Sequence, residues 1–194
     1  MRTLLLVIGA SLFLTACGGA GLGTSSAKLD IKVGGKASTL TVKSGAVSYG
    51  NVISTAPGKP NIQTFAHTIY IANYEMETSD PGWMRKPLSA ADQMRVDIQL
   101  TGEEGTKEDS SFKVATYIAK ADKFNSVRFV RINAFADGKQ TETDFDASFS
   151  HEKMNGEVKI TSVTADTVSG EVDLTEGDKS IKGTFTAKLP KKKT

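Results

Sequence analysis

The feature that most constrains this chain is a strict alternation of apolar and polar residues, repeated in segment after segment. Leu29, Ile31 and Val33 alternate with Asp30 and Lys32, and Leu40 and Val42 with Thr41 and Lys43. Met94, Val96, Ile98 and Leu100 alternate with Arg95, Asp97 and Gln99, and Phe145, Ala147 and Phe149 with Asp146 and Ser148. Ile181, Phe185, Ala187 and Leu189 oppose Lys182, Thr184, Thr186 and Lys188. Successive side chains of a strand point to opposite faces, so each segment reads as a strand with one buried and one wet face. Phe112, Val114, Thr116 and Ile118 read as one face of a further strand. The phase slips once. Val127 and Phe129 share one face, and Val130, Ile132 and Ala134 the other. A β-bulge there restores a single inward face, and a strand buried on both sides is the rival reading.

Turn signals separate the runs. Gly34-Gly35 divides the first two, and Asp137-Gly138 and Asn155-Gly156 are dipeptides that accept the positive φ of tight hairpins. Glu176-Gly177-Asp178 separates another pair of runs. Nine or ten strands are expected, antiparallel and locally joined. An all-β fold follows, either a two-sheet sandwich or a closed barrel. The best helical candidate is one capped turn at Ser89-Ala90-Ala91-Asp92. Three connections exceed what a hairpin needs, at 51–64, 76–92 and 101–110. Long loops on a rigid scaffold are where function tends to sit. The charged outward positions fit a β domain with a solvated exterior, since a membrane-spanning barrel turns an apolar band outward.

The N-terminus carries a different signal. Arg2 precedes an apolar run from Leu4 to Leu14, and small residues lead to Cys17, the single cysteine. That is the layout of a secretory signal, with an apolar core too short to span a bilayer. The segment Leu14-Thr15-Ala16-Cys17 resembles the lipobox of bacterial lipoproteins. The resemblance implies cleavage before Cys17 and a lipid (diacylglycerol, with palmitate-type acyl chains) on its sulfur, so the protein is expected to be held to a membrane of the cell envelope. Gly18 stands where an inner-membrane-retained lipoprotein of a Gram-negative host has Asp, which implies the outer membrane. The stretch Lys159–Leu189 resembles a theme of uncharacterised β-rich bacterial lipoproteins and brings no catalytic residue with it. The expected organisation is a signal peptide at 1–16, a lipidated tether at 17–27, one β-rich domain at 28–190 and a basic tail at 191–194. The tether, GGAGLGTSSA after Cys17, has the composition of a flexible linker.

Composition narrows the functional classes. Removing Arg2 from the 24 Lys and Arg leaves 23 against 22 Asp and Glu. A nearly neutral chain lacks the basic surface of a general nucleic-acid binder. With no second cysteine, the domain rests on its core, which a chain of this length supplies by burying roughly 70% of its unfolded surface. Lys191-Lys192-Lys193 reads as a solvated end.

Chemistry-bearing residues are sparse. The single tryptophan, Trp83, lies between Asp80-Pro81-Gly82 and Met84-Arg85-Lys86. Trp83, Met84 and Arg85 are the candidate binding residues. The rival reading folds the loop back so that Trp83 caps the core. His67 and His151 have no His or Cys close by and read as ordinary strand or surface residues, not zinc ligands. Glu103-Glu104, Glu108-Asp109 and Asp144 with Asp146 do not match a calcium loop and read as solvent-facing carboxylates. Phe65, Phe112, Phe129, Phe145, Phe149 and Phe185 read as inward-facing core. No G-x-S-x-G elbow occurs, and no catalytic residue, metal or cofactor is assigned. The leading expectation is a non-enzymatic, membrane-anchored binding or structural domain that engages another envelope component, a protein among the possible partners. Carriage of a small apolar ligand in a β cavity is the alternative, and a hydrolase ranks last.

Overall fold

A computed structural model describes residues 27–54, 62–119, 124–146 and 153–191. Its twelve strands exceed the nine or ten expected. β1 (Lys28–Val33) and β2 (Lys36–Thr41) form a hairpin with Val33 opposite Lys36. Gly34 and Gly35 at its tip have φ of 55° and 75°, a region that costs glycine nothing. β3 (Ser44–Ser48) and β4 (Asn51–Ser54) pair with successive parts of β5 (Ile62–Ala72). The expected 51–64 loop is therefore strand at both its start and its end. β6 (Met94–Thr101), β7 (Ala115–Ile118), β8 (Ser126–Ala136) and β9 (Lys139–Asp146) follow. β10 (Asn155–Val163), β11 (Thr167–Glu176) and β12 (Lys179–Lys188) complete the fold.

The strands close into a ring of eight. Its order is β11-β10-β7-β8-β6-β5-β3-β12, and β12 pairs back onto β11. Two junctions are single parallel pairs, Ile118 opposite Ser126 and Lys188 opposite Ala46. The other six are antiparallel ladders. The barrel is thus two antiparallel sheets joined at two narrow seams. Outside the ring, β1 and β2 extend from β12, β9 lies on β8, and β4 lies on β5.

The alternation places the core as expected on most strands. Leu29, Ile31, Leu40, Ile69, Ile98, Leu100, Phe145, Ile181 and Phe185 are buried in one cluster. An eight-stranded barrel has a bore that side chains fill. Phe185 shows how closely: a Cβ on Gly170 would lie 2.7 Å from its ring. Asp137-Gly138 and Gly177-Asp178 make the expected hairpin tips. The phase slip is a bulge. Gln99 pairs with Phe129 and Leu100 with Val127, so Arg128 is the extra residue. Val127, Val130 and Ile132 then all face inward.

Four expectations are corrected. The bulge turns Phe129 outward, half-buried on the exterior. On β7 the inward residue is Tyr117, while Val114 is 66% and Ile118 49% exposed. Phe112 is buried, but the chain bends at Val114 before β7 starts and loses the phase. Asn155-Gly156 is no hairpin tip but the start of the β10–β11 ladder. There Gly156, at φ 101°, lets the Asp173 carbonyl approach closer than any Cβ allows. Ser89–Asp92 is not helical: the Gln93 side chain accepts from the Ser89 and Ala90 amides at 2.9 and 3.2 Å. Among the described residues the one helical turn is a 3-10 turn at Trp83–Arg85.

Exposed positions of β10, β11 and β12 carry Glu157, Lys159, Glu171, Asp173 and Lys182, a solvated exterior. Among the described residues no helix is long and apolar enough to cross a membrane.

Candidate functional site

The segment 76–92 is a strap laid over the outside of the barrel. Its tip is organised by Asp80. The Asp80 carboxylate accepts the Gly82 amide at 2.8 Å, and its carbonyl accepts the Trp83 amide at 3.0 Å. Pro81 suits the first central position of such a turn. Lys86 returns to Asp80 at 2.9 Å and to Glu77 at 3.5 Å. The Gly82 amide and then Lys86 hold the Asp80 carboxyl below its ordinary pKa. The 3-10 turn sets Trp83 edge-on against Tyr70 of β5, with ring centroids 4.8 Å apart. Trp83 is half-buried here, a clasp on the barrel wall and not a plug for the core.

Beneath the strap lies a polar network that the alternation alone reads as wet surface. Arg95 and Asp97 project outward from β6, yet each is only 6% exposed. Arg95 Nε and Nη2 donate to the two Asp97 oxygens at 2.8 and 3.2 Å. Arg95 Nη1 donates to the Lys86 carbonyl of the strap at 3.4 Å, and its guanidinium carbon lies 5.6 Å from the Tyr70 ring centre. Asn133 of β8 donates to Asp97 at 3.1 Å, Gln140 of β9 donates to Asn133 at 3.2 Å, and the Leu88 amide of the strap donates to Gln140 at 2.7 Å. The circuit runs from strap to sheet and back to strap. Burial raises the Asp97 carboxyl above its ordinary pKa, against the downward pull of Arg95, Asn133 and Arg131.

Between strap and wall is an open groove of about 590 Å³. Met84, Arg85 and Pro87 form one side, Tyr70, Asp97 and Asn133 the floor, and Phe129, Arg131 and Glu142 the far side. Its size is in the range of ligand sites. Arg131 is held by Asp144, at 2.7 and 3.0 Å, and by Glu142 at 3.3 Å. Asp144 is therefore an ion-pair partner. Of the expected site residues, Met84 and Arg85 line this groove, while Trp83 packs beside it against Tyr70. The missed residues are Arg95, Asp97, Asn133 and Phe129. Opposite charges two apart on one strand face, Arg95 and Asp97, were the available signal.

The second candidate is the barrel mouth under the segment 102–114. His67 points inward from β5 and is fully buried. Its ring stacks on Phe65 at 3.9 Å, with Tyr49 at 4.5 Å and Phe112 edge-on at 5.1 Å. Beside it a pocket of about 320 Å³ is lined by Phe65, Thr106, Ser110, Ala115, Tyr117 and Asn125, among others. Burial, then the charge of Glu103, pushes the Tyr117 phenol up to about 12. His67 lies on a strand, as expected, and its ring is buried at the centre of an aromatic cage.

Among the described residues no group of three or more His, Cys, Asp or Glu is placed to hold a metal ion. Glu103 pairs with Lys113 at 2.9 Å, and Glu108 accepts from Asn51 at 3.2 Å. Cys17, His151, Phe149 and Lys192-Lys193 lie outside the described residues. The class the fold defines is a closed eight-stranded β-barrel with a strapped outer wall. No family model matches the chain, and neither a curated protein nor a solved structure matches it.

Proposed function

We propose that this chain is a lipid-anchored, non-enzymatic binding domain of the bacterial cell envelope, which engages an envelope protein through the groove beneath Trp83, Met84 and Arg85. The observation that carries this reading is the strap itself. A 17-residue connection (76–92) is fixed to the wall by a buried Arg95–Asp97 pair, which costs desolvation and is retained where geometry must be specified. Met84 and Arg85 line a preformed groove and Trp83 sits beside it against Tyr70, residue types enriched where proteins bind one another. The lipobox-like Leu14-Thr15-Ala16-Cys17 supports the anchor, and more than one acyl chain gives stable attachment. The outer membrane is the proposed location in a Gram-negative host.

The test is photo-crosslinking in the intact cell. A photoreactive residue at Met84 is expected to give one discrete adduct, and the same residue at Lys36, in the distant β1–β2 hairpin, none. Palmitate labelling is expected to disappear in Cys17→Ser, and the Met84 adduct with it. Equal adducts at both positions, or none at Met84, contradict the reading.

A second reading has the mouth pocket in its favour. A small apolar ligand carried there would lie against Phe65, Ala115 and Tyr117, because core side chains fill the bore below.

A further inference from the structure

His67 Nδ1 is, among the described residues, the buried side-chain nitrogen left without a hydrogen-bond partner. Such an atom calls for an explanation. The other ring nitrogen, Nε2, lies 3.1 Å from the Ser110 carbonyl oxygen, which only accepts. Nε2 therefore carries the proton of the neutral ring and donates, and Nδ1 is a bare acceptor. Ser110 belongs to the 102–114 segment, so this bond ties that segment to the inside of β5. Further ties run from the segment to the mouth: Thr64 donates to the Glu103 carbonyl at 3.0 Å, and the Phe65 amide to Thr106 at 3.3 Å.

A second proton has one place to go, Nδ1, which makes no hydrogen bond in the closed state and meets no water, and the Ala66 carbonyl favours that proton less than burial of the charge opposes it. The neighbouring groups do little to help. Phe65 and Phe112 are uncharged, and Leu100 stands opposite on β6. Tyr49, before β4, keeps its phenol neutral, since burial raises its pKa. Glu108 supplies the one opposing charge, from an exposed position and already bonded to Asn51. Burial lowers the His67 pKa, against the upward pull of the Ser110 and Ala66 carbonyls and of Glu108.

We propose that His67 is an acid-operated latch on the barrel mouth: neutral, it rests buried under the 102–114 segment and donates to Ser110, and protonated, its charged ring leaves the apolar cage for water, which lifts that segment and opens the pocket against Phe65 and Tyr117. The sign follows from linkage. An open state in which the imidazole meets water takes up a proton near pH 6.5, whereas the closed state resists it. The closed state is fully favoured above about pH 6.5 and loses ground as pH falls below it. One proton sets the limit at roughly a tenfold rise in opening per pH unit.

The experiment is hydrogen exchange by mass spectrometry on the full chain from pH 7.5 to 5.0, corrected for intrinsic rates. Peptides covering 101–114 are expected to lose protection by up to about tenfold per unit below pH 6.5, while β11 peptides hold theirs. In His67→Phe, which keeps the ring stack, the response is expected to vanish. The same pH response in His67→Phe, no response in the native chain, or equal loss in β11 overturns the latch. Where His67→Phe fails to fold, His151→Asn leaves His67 as the single imidazole for an NMR titration. A midpoint below 6.5 supports the latch, and one at or above 6.5 overturns it.

Discussion

Arg95 carries its charge on the outer wall of a barrel and is nearly sealed from water. Both of its ends are committed, to Asp97 along β6 and to the Lys86 carbonyl across the strap. Removing one member of a buried pair leaves the other charged and unsolvated. Arg95→Met is therefore expected to cost about 3–5 kcal/mol in a urea melt, and the double variant Arg95→Met with Asp97→Leu to recover most of it. A single variant within about 1 kcal/mol of the native chain contradicts a closed network. The sequence hid this pair for a physical reason. Alternation reports which face of β6 meets the core, and Arg95 and Asp97 are correctly on the other face. Nothing local reports that residues 76–92 return to cover it. The strap's own residues, Trp83, Met84 and Arg85, could be named because they stand in a long loop, but the same residues also allowed Trp83 to be read as a cap on the core. The surroundings of His67 were hidden for a similar reason: its cage comes from Phe65, Tyr49 and Phe112, and the last arrives from across the barrel mouth.

At the scale of elements, the barrel depends on seams that hairpin signals cannot announce. β3 and β12 meet at one parallel pair, and the fit there is tight. A Cβ on Gly45 would collide with the Thr186 carbonyl and lie 2.9 Å from Ala187 Cα. Both obstacles are backbone, so neither yields as a flexible side chain would. Gly45→Val is expected to destabilise by about 1–3 kcal/mol, the range of overpacking, and to raise exchange first in β3 and the end of β12. Unchanged stability contradicts the seam. Period-two alternation located most of the strands and their faces. It missed β3 and β4 and misplaced β7, where a bend breaks the phase. The bulge at Arg128 was legible because it must reconcile Val127 with Val130 on one inward face. Its second consequence, Phe129 on the exterior, belongs to the same shift.

For the whole molecule, the parts divide the work by location. The ring gives rigidity through one continuous core, in which Leu29 and Leu40 from β1–β2 and Phe145 from β9 join the ring strands. Lys179 fastens β9 to the β11–β12 turn, donating to the Asp144 carbonyl at 2.6 Å, pairing with Glu176 at 3.1 Å and covering the Phe145 ring. On this frame the strap groove faces outward and the His67 mouth opens at the end of β5. The proposed lipid on Cys17 would hold both near a membrane. The central claim is that the groove is occupied by an envelope partner, and Trp83 is a built-in reporter, because the chain has a single tryptophan. The most direct measurement is fluorine NMR of the full chain labelled with 5-fluorotryptophan, titrated with unlabelled, detergent-solubilised envelope proteins. The single resonance is expected to shift or broaden in the native chain and to stay fixed in Arg85→Glu. A resonance unmoved by every envelope fraction, or moved equally in Arg85→Glu, would contradict that claim.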